Sequence, residues 1–224
     1  MSPATQAMQK DDTQNPAMLW VQDGEAQWNR AEGAAGKSCA SCHGDAKSSM
    51  RGVATRYPAF DPMQRRPVTL SERINLCRTR RQHADPLEPE SEALLGIEAY
   101  VALQSRGMPI AKSVDPRLKP FIDRGEKHFR ERIGQLDLSC AQCHDERAGE
   151  RLAGSIIPQA HPTGYPIYRL EWQSMGSLER RLRNCMTGVR SEPYPFGSTE
   201  MVELELYLNR RAAGMALETP AVRP

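Results

Sequence analysis

The sequence has no long apolar run, few aromatic residues and almost no net charge. No apolar stretch approaches the roughly 20 residues needed to cross a bilayer, so no membrane span is expected. Basic residues number 30 and acidic residues 28, giving a net charge of +2. That balance excludes a general polyanion binder of the histone or ribosomal kind, and no nucleic-acid partner is expected. Only 39% of the 224 residues are hydrophobic and 6% aromatic, with a mean hydropathy of -0.63. A chain of this length makes one large domain or two of roughly 100 residues, and this one is short of side chains to fill them. The opening Met1-Ser2-Pro3-Ala4-Thr5-Gln6 also lacks the apolar h-region of a signal peptide.

Six cysteines stand at 39, 42, 77, 140, 143 and 185. Four of them form two Cys-x-x-Cys-His units, Cys39-Ala40-Ser41-Cys42-His43 and Cys140-Ala141-Gln142-Cys143-His144. Alone, Cys-x-x-Cys fits a redox dithiol or half of a zinc site, and two such pairs could join around one zinc. The histidine that follows each pair makes the pattern that of c-type haem attachment. In such a site two thiols add across the porphyrin vinyl groups and the imidazole ligates the iron. Two haem c groups are therefore expected, held by Cys39 and Cys42 and by Cys140 and Cys143, with His43 and His144 as proximal ligands. They would also supply the missing apolar bulk. Covalent attachment of this type occurs outside the bacterial cytoplasm, so the chain is read as a mature or trimmed form with a periplasmic address.

An internal repeat surrounds these units. Gly24 and Gly125 each lie 15 residues before the first cysteine of a motif, and Trp28 and Phe129 lie 11 before it. Glycine four residues before an aromatic, on one helical face, permits a close helix crossing with the ring packed beside it. Downstream, Tyr100 through Gly107-Met108 matches Tyr207 through Gly214-Met215. Both stretches read as amphipathic helices, one capped by Ser91 with Leu94, Leu95, Ile97 and Val101 inward. The other is capped by Ser198 or Thr199, with Met201, Val202, Leu204 and Leu208 inward. Each half runs helix, haem motif, irregular stretch, helix, an order that resembles the class I cytochrome c fold. The expected class is all-α, two tandem class I cytochrome c-like domains with long haem-wrapping loops. Residues 1–17 are read as an N-terminal arm, 18–112 as the first domain and 113–224 as the second, which would hold the active site.

The remaining cysteines occupy corresponding places, Cys77 34 residues after His43 and Cys185 41 after His144. One reading pairs them as a disulfide. The other makes each the sixth ligand of its own haem iron, where a thiolate depresses the reduction potential. Met108 and Met215, also related by the repeat, are rival ligands or simply core residues ending a helix. Arg73, Arg78, Arg80 and Arg81 crowd Cys77, and Arg180, Arg181, Arg183 and Arg190 crowd Cys185. Arginines near a haem commonly pair with its propionates. Alternatively, one cluster receives a small divalent oxyanion through paired hydrogen bonds. His83, His128 and His161 are given surface positions.

The two haem motifs, the cysteine after each, and Arg181-Leu182-Arg183-Asn184-Cys185-Met186-Thr187-Gly188 together resemble the dihaem SoxA subunits of SoxAX cytochromes. The resemblance implies that Cys77 and Cys185 are axial ligands opposite His43 and His144. It further implies that Cys185 is catalytic, found as a persulfide, and that Arg181 contacts substrate. The implied activity is that of an L-cysteine S-thiosulfotransferase, joining thiosulfate to a cysteine thiol of the carrier SoxYZ and passing two electrons to c-type haem. A monohaem SoxX cytochrome would complete a heterodimer. Two alternatives stay open: a dihaem thiosulfate dehydrogenase forming tetrathionate, and a non-catalytic electron-transfer cytochrome.

Overall fold

The computed structural model describes residues 1–152 and 154–224. The first half contains α1 (Pro3–Lys10), α2 (Met18–Asn29), the one-turn α3 (Cys39–His43), α4 (Ala46–Ser49), a hairpin of β1 (Ala59–Asp61) and β2 (Arg66–Val68), α5 (Leu70–Cys77) and α6 (Glu92–Leu103). The second contains α7 (Lys119–Arg130), α8 (Cys140–His144) and an exposed hairpin of β3 (Arg151–Leu152) and β4 (Ser155–Ile156). A second hairpin, β5 (Ile167–Arg169) and β6 (Ser174–Gly176), leads into α9 (Leu178–Gly188) and α10 (Thr199–Arg211). Strand β7 (Ala221–Arg223) closes the chain and pairs parallel with β5.

Helices dominate, but the fold is mixed rather than strictly all-α. The stretches read as irregular each carry a hairpin and a capped helix, β1–β2–α5 and β5–β6–α9. Strands of three residues are too short to leave a period-2 signature. The seven extra residues of the second half fall between His144 and Tyr165, the stretch that carries β3–β4.

The repeat glycines sit where two helices cross at backbone contact. A Cβ on Gly24 would lie 2.0 Å from the Gly96 carbonyl oxygen, and one on Gly125 2.1 Å from that of Glu203. Each crossing carries its aromatic: Trp28 packs on Tyr100 with centroids 6.0 Å apart, and Phe129 on Tyr207 at 5.4 Å. The Trp28 Nε1–H also donates to the Gly44 carbonyl at 3.0 Å, tying α2 to the end of α3. Ser91 and Ser198 cap α6 and α10, and all eight residues expected to face inward are 5% exposed or less.

The two halves pair through their own repeat. Gly107 N–H donates to the Leu217 carbonyl and Gly214 N–H to that of Ile110, both at 2.8 Å. Ile110 N–H donates to Met215 and Leu217 N–H to Met108. Adding the same interval turns each bond into its partner, so the junction is pseudo-twofold. The hairpins interlock as well: Met175 of β6 is buried in the first half's core, and β2 packs on α10. The first residues are a capped helix rather than a patternless arm, with α1 against β7 and Asn15 Nδ2–H donating to the Pro220 carbonyl at 2.9 Å.

A cleft between the halves is lined by Glu72, Glu90, Glu98, Glu179 and Glu205. Glu98 and Glu205 come from equivalent positions of α6 and α10. Burial, reinforced by neighbouring carboxyls, lifts Glu98 to about 8 and Glu179 to about 7, and holds Glu205 well above the usual range. The folded state thus binds these protons more tightly than the unfolded chain. Their contribution is fully present below the ordinary carboxyl range and is lost as pH rises through the folded values.

Two predictions follow from these contacts. Gly125→Ala should lower the unfolding free energy of the holoprotein by about 3 kcal/mol or more, read by denaturant titration; a loss below about 1 kcal/mol would mean the crossing can open cheaply. The melting temperature should fall between about pH 5 and about pH 8.5, with Glu98→Gln flattening the slope; an unchanged slope in that variant contradicts a neutral, half-buried carboxyl.

Candidate functional site

Both haem-type motifs form one-turn helices closed by capping boxes. In α3 the Ser41 N–H donates to Ser38 Oγ and the Ser38 N–H to Ser41 Oγ, each at 3.0 Å. In α8 the Gln142 N–H donates to Ser139 Oγ at 3.2 Å, and the Ser139 N–H to Gln142 Oε1 at 2.8 Å. The third residue of each motif therefore serves the cap, which explains its polar identity. Cys39 packs against the first half's core and Cys140 against the second's, while Cys42 is exposed.

His144 Nδ1 lies 2.7 Å from the Pro158 carbonyl. That acceptor fixes the Nδ1–H tautomer and leaves Nε2 as the ligating nitrogen. Burial holds the His144 imidazole below its ordinary range, favouring the neutral, ligating form. Burial also raises the Cys140 thiol to about 11 and lifts Cys39 and Cys77.

The loop ahead of each motif is stitched to the end of the helix bearing the third cysteine. Ala34 and Ala35 N–H donate to the carbonyls of His83 and Gln82 at 3.2 and 3.0 Å. Gln135 and Leu136 N–H donate to those of Arg190 and Val189, both at 3.3 Å. A turn of π-helix, Arg78–Gln82, inserts the one extra residue of the first half here. Cys77, the last residue of α5, is thereby brought near Cys39 and Cys42: it acts electrostatically on Cys39, and Cys42 acts on it. Cys185 of α9 acts likewise on Cys140. No disulfide joins Cys77 to Cys185, so the disulfide reading fails. Met108 and Met215 lie instead at the junction of the halves; Met108 Cε is 3.2 Å from where a Gly52 Cβ would stand, and Met215 is 41% exposed.

Comparison with known proteins decides the family. The model of the SoxA/TsdA cytochrome c domain matches residues 23–110 and 124–217. Curated L-cysteine S-thiosulfotransferase subunits SoxA from Pseudaminobacter salicylatoxidans and Rhodovulum sulfidophilum are each 36% identical to it over 98% of this chain, covering 77% and 76% of those proteins. The crystal structure of SoxXA from P. pantotrophus superposes with a TM-score of 0.95 at 32% identity, covering all of this chain and 84% of that one. The chain belongs to the SoxA/TsdA cytochrome c family. The resemblance drawn from its motifs is met, and its cofactor is haem c.

The donor sets suit that cofactor: two thiols and a histidine on one helical turn, with a third thiol held nearby in each half. The surrounding charges, however, differ between the halves. Arg73 and Arg181 stand one helical turn before Cys77 and Cys185. In the first half Arg73 Nη2 pairs at 2.6 Å with Asp61 Oδ2, whose side chain is 3% exposed. In the second half Arg169 occupies the place of Asp61, at the same hairpin register. Among the described residues, Arg181 has no side-chain hydrogen bond and no ion pair.

The other arginines near Cys185 are accounted for within this member of the SoxA/TsdA family. Arg180 Nη1 reaches Ser174 Oγ and the Met175 carbonyl at 3.3 Å and stacks on Trp172. Arg183 donates to the Tyr194 carbonyl and stacks on Phe196. Arg190 is exposed and in the left-handed region. Arg78 pairs with Glu32 at 2.5 Å. His128 does not face solvent: its Nε2 is 3.4 Å from Glu203, a carboxylate 1% exposed on α10 and also bound by Arg124. The Asp61-for-Arg169 exchange is readable from Tyr57-Pro58 and Tyr165-Pro166, which put the two hairpins in register.

Removing Arg73 strands a buried carboxylate, whereas removing Arg181 strands nothing. Arg73→Ala should cost about 3 kcal/mol and Arg181→Ala no more than about 0.5 kcal/mol, by denaturant titration of the holoprotein. Equal losses would mean that Arg181 has a structural partner.

Proposed function

We propose that this chain is a dihaem, periplasmic SoxA subunit that joins thiosulfate to a cysteine thiol of a SoxYZ-type carrier protein, as a heterodimer with a SoxX-type monohaem cytochrome. The names of its relatives as L-cysteine S-thiosulfotransferase subunits support the reaction, and the SoxXA title of its structural neighbour supports the partner. The family model's two segments support two haem c groups, with class I-type domains over 18–112 and 113–224. No helix among the described residues is long and apolar enough to cross a membrane.

In this reading Cys39 and Cys42 hold one haem, with His43 and Cys77 as axial ligands. Cys140 and Cys143 hold the other, with His144 and Cys185 as axial ligands. Haem c, when bound, accepts electrons one at a time. The overall reaction forms one sulfur-sulfur bond between thiosulfate and the carrier thiol, releases the thiol proton and gives up two electrons. Thiosulfate is a dianion with three sulfonate oxygens, which a guanidinium meets through paired hydrogen bonds. Arg181 is suited to hold that sulfonate and leave the outer sulfur toward Cys185, one turn away on the same face. The observation that carries this assignment is the contrast between Arg181, which has no partner among the described residues, and Arg73, whose charge is spent on Asp61.

Thiosulfate consumption should depend strictly on a carrier thiol, and Cys185→Met should abolish it by about a hundredfold or more with both haems retained. Carrier-independent formation of tetrathionate would favour the dehydrogenase. Shifted potentials with no loss of sulfur chemistry would leave a plain electron-transfer cytochrome.

A further inference from the structure

The exchange of Asp61 for Arg169 costs the second half something its own contacts do not return. Arg169 lies opposite Arg223 in the parallel β5–β7 pairing, and like charges directly opposite are destabilising. Arg223 is neutralised by Glu218 at 2.6 Å and also bonds Gln9. Arg169 has one ion pair, from Nη2 to the outward Glu171 at 2.7 Å, and stacks loosely on Trp172. Its side chain is 15% exposed, and its Nε is buried with no hydrogen-bond partner among the described residues. An unmet buried donor on a cation calls for an acceptor that is not a protein group.

The position of that acceptor follows from the first half. There the residues at these two places, Asp61 and Arg73, meet at 2.6 Å. The hairpin register is the same in both halves, with Asp61 opposite Arg66 and Arg169 opposite Ser174. In the second half the residues at those two places are both arginines, Arg169 and Arg181. Arg181, Arg169, Arg223 and the Cys185 thiol all act electrostatically on the Tyr165 hydroxyl, which puts them in one neighbourhood.

We propose that Arg169 and Arg181 form a two-guanidinium clamp for the sulfonate end of the small sulfur dianion, and that Asp61 closes the equivalent place in the first half. The two charges of the ligand match the two cations, and Asp61 provides in the first half what the substrate provides in the second. This inference rests on the functional reading above, and wild-type turnover tests that reading separately.

The test is Arg169→Asp in the holoprotein with its partner and carrier, a change that recreates a pair the first half already folds around. Arg169→Gln serves if the first variant does not accumulate. The expected result is a rise in KM for thiosulfate of about tenfold or more with a much smaller change in kcat. Protection by sulfate, an unreactive dianion, should weaken in parallel. Unchanged KM and sulfate protection would overturn the clamp. If the haem potentials shifted in that case, Arg169 would be a partner of the haem carboxylates instead. Absence of thiosulfate turnover in the wild type would count against the functional reading, while sulfate binding lost in the variant would still support an anion site.

Discussion

The backbone bonds between the loop ahead of each Cys-x-x-Cys-His unit and the end of the following cysteine helix carry the rest of the site. They close a segment of more than forty residues, so that sulfur atoms far apart in sequence end up beside one another. The helix crossings at Gly24 and Gly125 hold the opposite side of each half, and Trp28 links the two through Gly44. Apart from the Trp28 indole, these contacts use main-chain groups or glycine, which leaves the side chains around each third cysteine free to differ between halves.

That freedom separates the two centres. Hairpin register, cap positions and the cysteine-bearing helix repeat almost residue for residue, so charge differences stand out against a constant background. In the first half the guanidinium beside the cysteine is cancelled by a buried aspartate. In the second it has no partner among the described residues, and Arg169 stands where the aspartate stood, opposite Arg223, an arrangement that gives up stability. Stability given up at one of two otherwise matching sites marks the place where a ligand is expected.

Much of this was legible in the sequence because it depends on local pattern. The haem motifs, the glycine-aromatic spacing, the caps at Ser91 and Ser198 and the inward faces of α6 and α10 are short-range signals with fixed periods. The hairpins were not legible, since three residues per strand give no alternation to read. Thr69 and Glu72 do form the capping-box pattern that announces α5, though the surrounding prolines and arginines masked it. The self-pairing of Gly107–Ile110 with Gly214–Leu217, the absence of a Cys77–Cys185 disulfide, and the burial of His128 against Glu203 all depend on long-range packing. Periodicity cannot report them.

The most direct measurement is the mass of the peptides carrying Cys185 and Cys77, isolated without reductant before and after the holoprotein meets thiosulfate. The Cys185 peptide should be heavier by one sulfur atom or by a thiosulfate group, and the Cys77 peptide should remain unmodified. An unmodified Cys185, or equal modification of both cysteines, would contradict a second half specialised for sulfur chemistry.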